Sequence, residues 1–372
     1  MRYRIFLILF VLYSNYYSQN KVEIIEDLLQ KDLVDSAEVL INKSLMADSN
    51  NVKLLYYKAI IIQNSIQIDD SPEDKISNLN HVKYLFEKAY KVDPSNALNS
   101  ILLDEYLNLA QQFNYTGIEL FNKGAYTEAI IAFESNLVLY EYANASDLDT
   151  LVWYNLAMAS EKNKQYNKAI LYYNKILQHT SDWMPYIYIA SIYKTNNNTS
   201  LFDSTLNVAI EQKPKFKLYF LNEFIAYNIE IENYNEALKY IHEAMQTDSL
   251  NPNLLFLEGA SYQNANQPEK AIESYEKCLS IDSLNFDACY NLAAIYHNKA
   301  IDLSHKSKLN KIDKKNLKLY ANQVLKYLKY LTLEEQSDPF VLKMKYNCYD
   351  ILNNKKEKAL IESKMKQSSD GM

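Results

Sequence analysis

A spacing of 34 residues runs through the second half of the chain. Asp248-Ser249-Leu250-Asn251 returns as Asp282-Ser283-Leu284-Asn285, Gly259 is answered by Ala293, Tyr262 by Tyr296 and Ala237 by Ala271, each 34 residues on. Ala169 precedes Ala237 by 68 residues, or two periods, so the register extends upstream. A fixed period of this length is the mark of a solenoid, in which each unit packs only on its neighbours and one core lengthens without limit. The 372 residues therefore need not divide into two or three ordinary domains.

Apolar residues inside a unit fall at helical spacing for about fourteen residues, a short polar turn follows, and a second helical pattern begins. Each unit thus reads as a helical hairpin. In the unit from Thr150 to Asp182, Trp153, Leu156, Ala157 and Ser160 mark the first helix, while Ala169, Tyr173 and Ile176 mark the second. Small residues such as Ala157 and Ala169 suit the close crossing of two helices, and rings such as Tyr173 fill the space towards the next hairpin. Composition agrees. The chain has four glycines and seven prolines, where average usage predicts roughly 26 and 19, so strand turns and glycine-rich phosphate loops are poorly supplied. Hydrophobic residues make up 48% and include 33 tyrosines, enough for a large core.

These residues resemble the tetratricopeptide repeat family. Its 34-residue unit carries Trp, Leu, Gly and Tyr in the first helix, then Ala, Phe, Ala and a closing Pro. The Gly place is held by Gly117, Ala157, Ala190, Gly259 and Ala293, and by Ile225 in one unit, with Ala226 alongside. The first Ala place holds Ala129, Ala169, Ala237, Ala271, Ala321 and Ala359, with Phe202 the exception. The second holds Ala89, Ala209, Ala244 and Cys278, while Asn136, Ile176 and Leu328 depart from it. Pro94 and Pro214 keep the closing proline. The resemblance implies an all-α fold, a tetratricopeptide-type α-solenoid in which antiparallel hairpins build a right-handed superhelix. Hairpins are expected near 20–51, 52–96, 97–149, 150–182, 183–217, 218–251, 252–285, 286–339 and 340–369. Three are stretched: Asp69 to Ser77 is expected to lengthen a turn, Ala97 to Gln111 to extend a first helix, and Lys299 to Lys318 to insert about sixteen residues. The order also looks like that of exported bacterial tetratricopeptide proteins with a lysine-rich hairpin before the last unit. The expected segments are a signal peptide (1–19), N-terminal hairpins (20–149), regular repeats (150–285) and C-terminal hairpins with a cap (286–372).

Arg2 and Arg4, the apolar run Ile5 to Tyr13 and polar Ser14 to Gln19 have the order of a secretory signal peptide. Nine apolar residues cover about 13 Å as a helix against a ~30 Å hydrocarbon core, too little for a permanent span. Export to the periplasm or envelope of a bacterium, without a stable membrane span after cleavage, is the expectation. Removal of the leader would take away two Arg and move the formal net charge from −7 to −9, a balance that disfavours nucleic-acid binding.

Chemistry is hard to find. Cys278, Cys289 and Cys348 make neither an even set nor a CxxC pair and read as small core residues, with a Cys278–Cys289 disulfide as the competing reading. His242-Glu243 has half of an HExxH helix, but Gln246 takes the place of the second His. His297 and His305 lie eight apart, outside the one-turn spacing of two metal ligands. No Gly-x-Ser-x-Gly elbow occurs. No cofactor, metal or catalytic residue is therefore expected.

In the resembled family, first-helix positions 2, 5, 9 and 12 line the concave face. Here they give an aromatic stripe: Tyr56, Tyr154, Phe256 and Tyr290 at position 5, Tyr115 and Tyr188 one residue on, with Asn291 and His297 as polar handles. Aromatic rings bury large area with little rotamer loss, which suits peptide recognition, and packing between helices is the competing explanation. Tyr154 and Met158 replace the Lys and Asn of the family's carboxylate clamp. The expectation is a non-enzymatic adaptor that binds a protein or peptide on that face. An alternative is a structural envelope component that holds an acidic partner or anionic polymer through Lys306, Lys308, Lys311, Lys314 and Lys315, in a stretch of seven Lys against Asp302 and Asp313. An enzyme is the third.

Overall fold

The computed structural model describes residues 21–67, 69–92, 99–143, 150–332 and 335–369. The expected leader, 1–19, lies outside them, as does Pro94. The described residues form helices and no strand, and contacts divide the chain into two units, Met1–Asn198 and Thr199–Met372. The first unit holds 21–30 (α1), Val34–Ala47 (α2), Val52–Ser65 (α3), Pro72–Val92 (α4), Asn99–Asn122 (α5), Tyr126–Tyr142 (α6), Thr150–Lys162 (α7), Tyr166–His179 (α8) and Met184–Thr195 (α9). The second holds Thr199–Gln212 (α10), Lys217–Glu230 (α11), Tyr234–Met245 (α12), Pro252–Asn264 (α13), Pro268–Ile281 (α14), Phe286–Ser304 (α15), Lys311–Leu328 (α16), Pro339–Ile351 (α17) and Lys355–Ser369 (α18). Within each unit helices pack chiefly on their sequence neighbours, as the period requires of an all-α solenoid.

A chain with four glycines closes these hairpins with other residues. Lys164 turns to a φ of 59°, after which Lys164 N–H donates to the Glu161 carbonyl and Gln165 N–H to the Ser160 carbonyl at 2.9 and 2.8 Å. The same left-handed residue and paired bonds recur at Asp32, Glu232, Asn266 and Asn353, and Gly124 supplies them between α5 and α6. This Schellman geometry satisfies carbonyls at the end of the first helix and sends the chain back along it.

The repeated Asp-Ser-Leu-Asn closes one hairpin and opens the next. Asn251 Oδ1 accepts from the Asn253 and Leu254 amides at 3.0 and 3.3 Å, Asn285 Oδ1 from the Ala288 amide at 3.0 Å, and Asn251 Nδ2 donates to Asp248 at 2.9 Å. Each asparagine is the N-cap of a first helix, a contribution of about 1 kcal/mol. Asp48-Ser49-Asn50-Asn51 does the same for α3, where Asn51 Oδ1 accepts from the Leu54 amide at 3.2 Å.

Size complementarity sets the spacing inside a hairpin. Gly117 faces Phe133 and Gly259 faces Tyr275, each ring sixteen residues on and so close that a Cβ at either glycine would lie 2.6 Å from a ring carbon. At Ile225 the residue sixteen on is Ile241, in the same buried cluster. A larger residue in the Gly place is thus matched by a smaller one opposite. Departures at the second Ala place are also absorbed: Ile176 and Leu328 are buried, and buried Asn136 donates through Nδ2 to the Ala110 carbonyl at 2.6 Å.

One expected feature is corrected. Asp69 to Ser77 does not lengthen a turn throughout, because α4 starts at Pro72 and runs for 21 residues. Ser71 Oγ accepts from the Asp74 amide at 3.1 Å and donates to its carboxylate at 2.8 Å, starting the helix early. Lys75 Nζ then pairs with Glu119 on α5 at 3.0 Å. The described part of the other extension is helical, in the 24-residue α5. The Lys299 to Lys318 insertion is shared between the end of α15, a turn at 305–310 and the start of α16.

Candidate partner-binding site

The eight residues expected on the first-helix faces differ in how much of each side chain remains available. In the first unit, half-buried Tyr56 on α3 packs on Phe86 of α4, ring centroids 6.1 Å apart. On α7, Tyr154 donates through its hydroxyl to Asp182 at 2.6 Å and meets Tyr173 and Tyr188 edge-on at 6.4 and 6.3 Å. Tyr188 of α9 stacks on Tyr173 at 5.1 Å. The structure thus brings Tyr154 and Tyr188 into contact with each other and with the buried second-helix ring of Tyr173. Burial first, then the neighbouring carboxylate, pushes the Tyr154 and Tyr173 phenols up, so both remain donors. Tyr115 on α5 stands apart and is 67% exposed.

In the second unit Phe256 of α13 tilts against Tyr275 of α14 at 5.8 Å. Asn291 of α15 donates to the Tyr275 hydroxyl at 3.0 Å, and His297 Nε2 lies 3.0 Å from Asn347 Nδ2 of α17. Both polar handles therefore have partners inside the fold. Burial, partly offset by Asn298, holds the His297 imidazole below its ordinary value. Tyr290, 36% exposed, borders a cleft of about 490 Å³ with Phe286, Asp287, Leu331, Asp338 and Val341.

A cleft that the aromatic pattern misses lies between the first helices α11 and α13. It has about 270 Å³, a floor of Ile225 and Leu254, aliphatic walls at Leu218, Ile229 and Leu257, and exposed Ala226 beside the exposed carboxamides of Asn222 and Asn253 at its mouth. An aliphatic side chain fits such a floor, and carboxamides have both the donor and the acceptor that a peptide bond requires. Asn222, Ala226 and Asn253 occupy first-helix positions, the one signal that would have found them; none is aromatic. In the first unit, Ile118, Phe121, Phe133, Asn155 and Met158 line a smaller hollow of about 70 Å³.

Other polar groups answer to packing. Glu258, 8% exposed, accepts from Ser274 Oγ at 2.7 Å and lies 2.9 Å from His242 Nε2. The serine donates to a carboxylate, with no imidazole placed to take its proton, so the group forms no nucleophile–base pair. His242 is thus a buried acid's partner, which its sequence neighbours did not show. Cys278, Cys289 and Cys348 are free and buried, and burial pushes the Cys278 thiol up to about 11 and the Cys348 thiol up to about 12. Among the described residues no group of three or more His, Cys, Asp or Glu is arranged to hold a metal, and no helix is long and apolar enough to cross a membrane.

Two separate hairpins match models described as tetratricopeptide repeat, over residues 150–183 (α7 and α8) and 252–283 (α13 and α14). The chain contains tetratricopeptide repeats. Such repeats bind proteins or peptides, and their presence supports a protein-interaction scaffold. Its chain is similar to the C-terminal part of a TPR repeat-containing protein from Cytophaga hutchinsonii, at 15% identity over 68% of this chain and 93% of that one with a TM-score of 0.48. It is also similar to MamA, at 17% identity over 47% and 98% with a TM-score of 0.33. YrrB, described as a TPR protein with an unusual peptide-binding site, is 16% identical over 55% and 95% with a TM-score of 0.33. No curated protein sequence matches the chain.

Proposed function

We propose that this tetratricopeptide repeat protein is an exported adaptor of the bacterial cell envelope that holds a segment of a partner protein along its first-helix faces. The cleft between α11 and α13 carries the reading, because it joins an apolar floor to two exposed carboxamides at the positions the family uses for binding. Exposed Tyr115 and Tyr290 add ring surface on the same class of helix. The remaining rings of the stripe stiffen these helices through Phe86, Tyr173 and Tyr275, and contribute to binding by holding the backbone still. Basic Arg2 and Arg4 followed by the apolar run Ile5 to Tyr13 support export.

The test is affinity capture from envelope extract with the wild type beside Ala226→Arg. Ala226 is exposed, so the substitution fills the cleft at little expected cost to the fold. Loss of tenfold or more of a captured protein, with Tm unchanged, is the expected result, the scale of losing one buried aliphatic anchor of about 1.5–3 kcal/mol. Undiminished capture by the variant would remove the cleft from the account.

A further inference from the structure

The outer face of α16 has a charge pattern unlike the rest of the chain. Between Lys306 and Lys329 there are eight lysines and one acid, Asp313, a net of +7 in a chain whose formal net charge is −7, so the other residues together carry −14. Asp313 is turned inward and already used: its carboxylate accepts from the Asn310 amide at 3.1 Å and from Lys306 Nζ at 3.1 Å, completing the capping box that starts the helix. Ala321, Val324 and Leu328 bury the inner side of α16. Lys311, Lys315 and Lys318, at i, i+4 and i+7, project from the opposite side, are exposed, and face no carboxylate on their own helix. Two aliphatic residues share that side: Ile312, 69% exposed, and Leu319, 48% exposed, seven residues apart with Lys315 between them.

Solubility alone would explain the lysines and leave the two aliphatics unexplained. Lysine stems that flank exposed aliphatics on a helix lying flat are the arrangement of a surface that meets a bilayer, with ammonium groups at the headgroups and apolar groups below them. The geometry points to the outer face of α16 as a docking site for a membrane surface rich in anionic lipid headgroups. An acidic protein segment would answer the lysines and gain little from Ile312 and Leu319, whereas a bilayer uses both. The remaining residues together carry −14, a balance that repels the same surface and favours approach by this face. The site is independent of the first-helix clefts, being on a second helix, and goes beyond the adaptor reading by fixing what the scaffold stands on.

Co-sedimentation with vesicles tests this, using the full chain in about 0.1 M salt and comparing phosphatidylcholine alone with phosphatidylcholine containing phosphatidylglycerol at about 30%. Any contribution of residues 1–19 is common to every sample, so the readout is the difference between vesicles and between variants. The wild type is expected to bind the anionic vesicles at least about tenfold more tightly. Lys311→Gln/Lys315→Gln/Lys318→Gln should abolish that preference, since each lysine near an anionic surface contributes roughly a fivefold gain. Ile312→Ser/Leu319→Ser should weaken binding to the anionic vesicles about fivefold or more. All five side chains are exposed, and each variant is expected to keep the wild-type Tm. Equal binding to the two vesicles would overturn the proposal. So would wild-type binding of anionic vesicles by Ile312→Ser/Leu319→Ser, which would make the face a site for acidic macromolecules.

Discussion

Gly259 shows how closely this fold is specified by single side chains. The Tyr275 ring lies where a Cβ would be, 2.6 Å from its nearest carbon, and Tyr275 is itself fully buried and hydrogen-bonded to Gln263 and Asn291. The ring cannot move aside without breaking those bonds. Gly259→Ala gains about 1 kcal/mol of helix propensity and loses more through overpacking, about 1–3 kcal/mol. A net loss near 1 kcal/mol is expected in thermal or urea unfolding, and Tyr275→Leu should make the same substitution favourable by opening the space. Residue identities of this kind were visible as a repeated small residue, since only the period was needed to see them. The ring positions were visible as well, with packing between helices as the competing explanation, and Tyr154 and Tyr188 do pack on Tyr173; which helix claims a polar group was not visible, since Asn291 reads as a free handle until the Tyr275 hydroxyl takes its amide. Sequence spacing orders side chains around one helix and says nothing of the neighbouring helix that claims them.

At the scale of the element, the hairpin turn is where the sequence departs most from what its backbone prefers. Lys164 and Glu232 occupy the left-handed region at φ of 59° and 58°, a conformation that costs a β-carbon-bearing residue about 1 kcal/mol and that glycine adopts freely. Lys164→Gly is accordingly expected to raise stability by about 0.5–1 kcal/mol, seen as a higher urea midpoint with an unchanged slope. A fall in the midpoint would mean that the Lys164 side chain contributes more than its backbone strain costs. Helix starts were legible where an asparagine cap stood in the repeat, as at Asn251 and Asn285, and misread at 69–77, where Ser71 and Asp74 begin α4 earlier than the period allows. The cleft between α11 and α13 escaped for a related reason. Asn222, Ala226 and Asn253 are unremarkable residues in their own helices and line one cleft only when two first helices stand side by side.

For the molecule as a whole, the proposed function gives different work to the two kinds of helix. First helices present the cleft between α11 and α13, Tyr115 and Tyr290, while second helices supply Phe86, Tyr173 and Tyr275 and, in α16, a cationic outer face. Packing chiefly between sequence neighbours lets each role repeat from hairpin to hairpin. This division is open to a direct test with a photo-crosslinking amino acid placed singly at first-helix positions Tyr115, Ala226 and Tyr290 and at exposed second-helix positions Leu171 and Val208, followed by irradiation in the envelope and mass spectrometry. Crosslinks to one partner protein at the first-helix positions, with none to that protein at Leu171 or Val208, are what the account predicts. Partner crosslinks concentrated at the second-helix positions would contradict it.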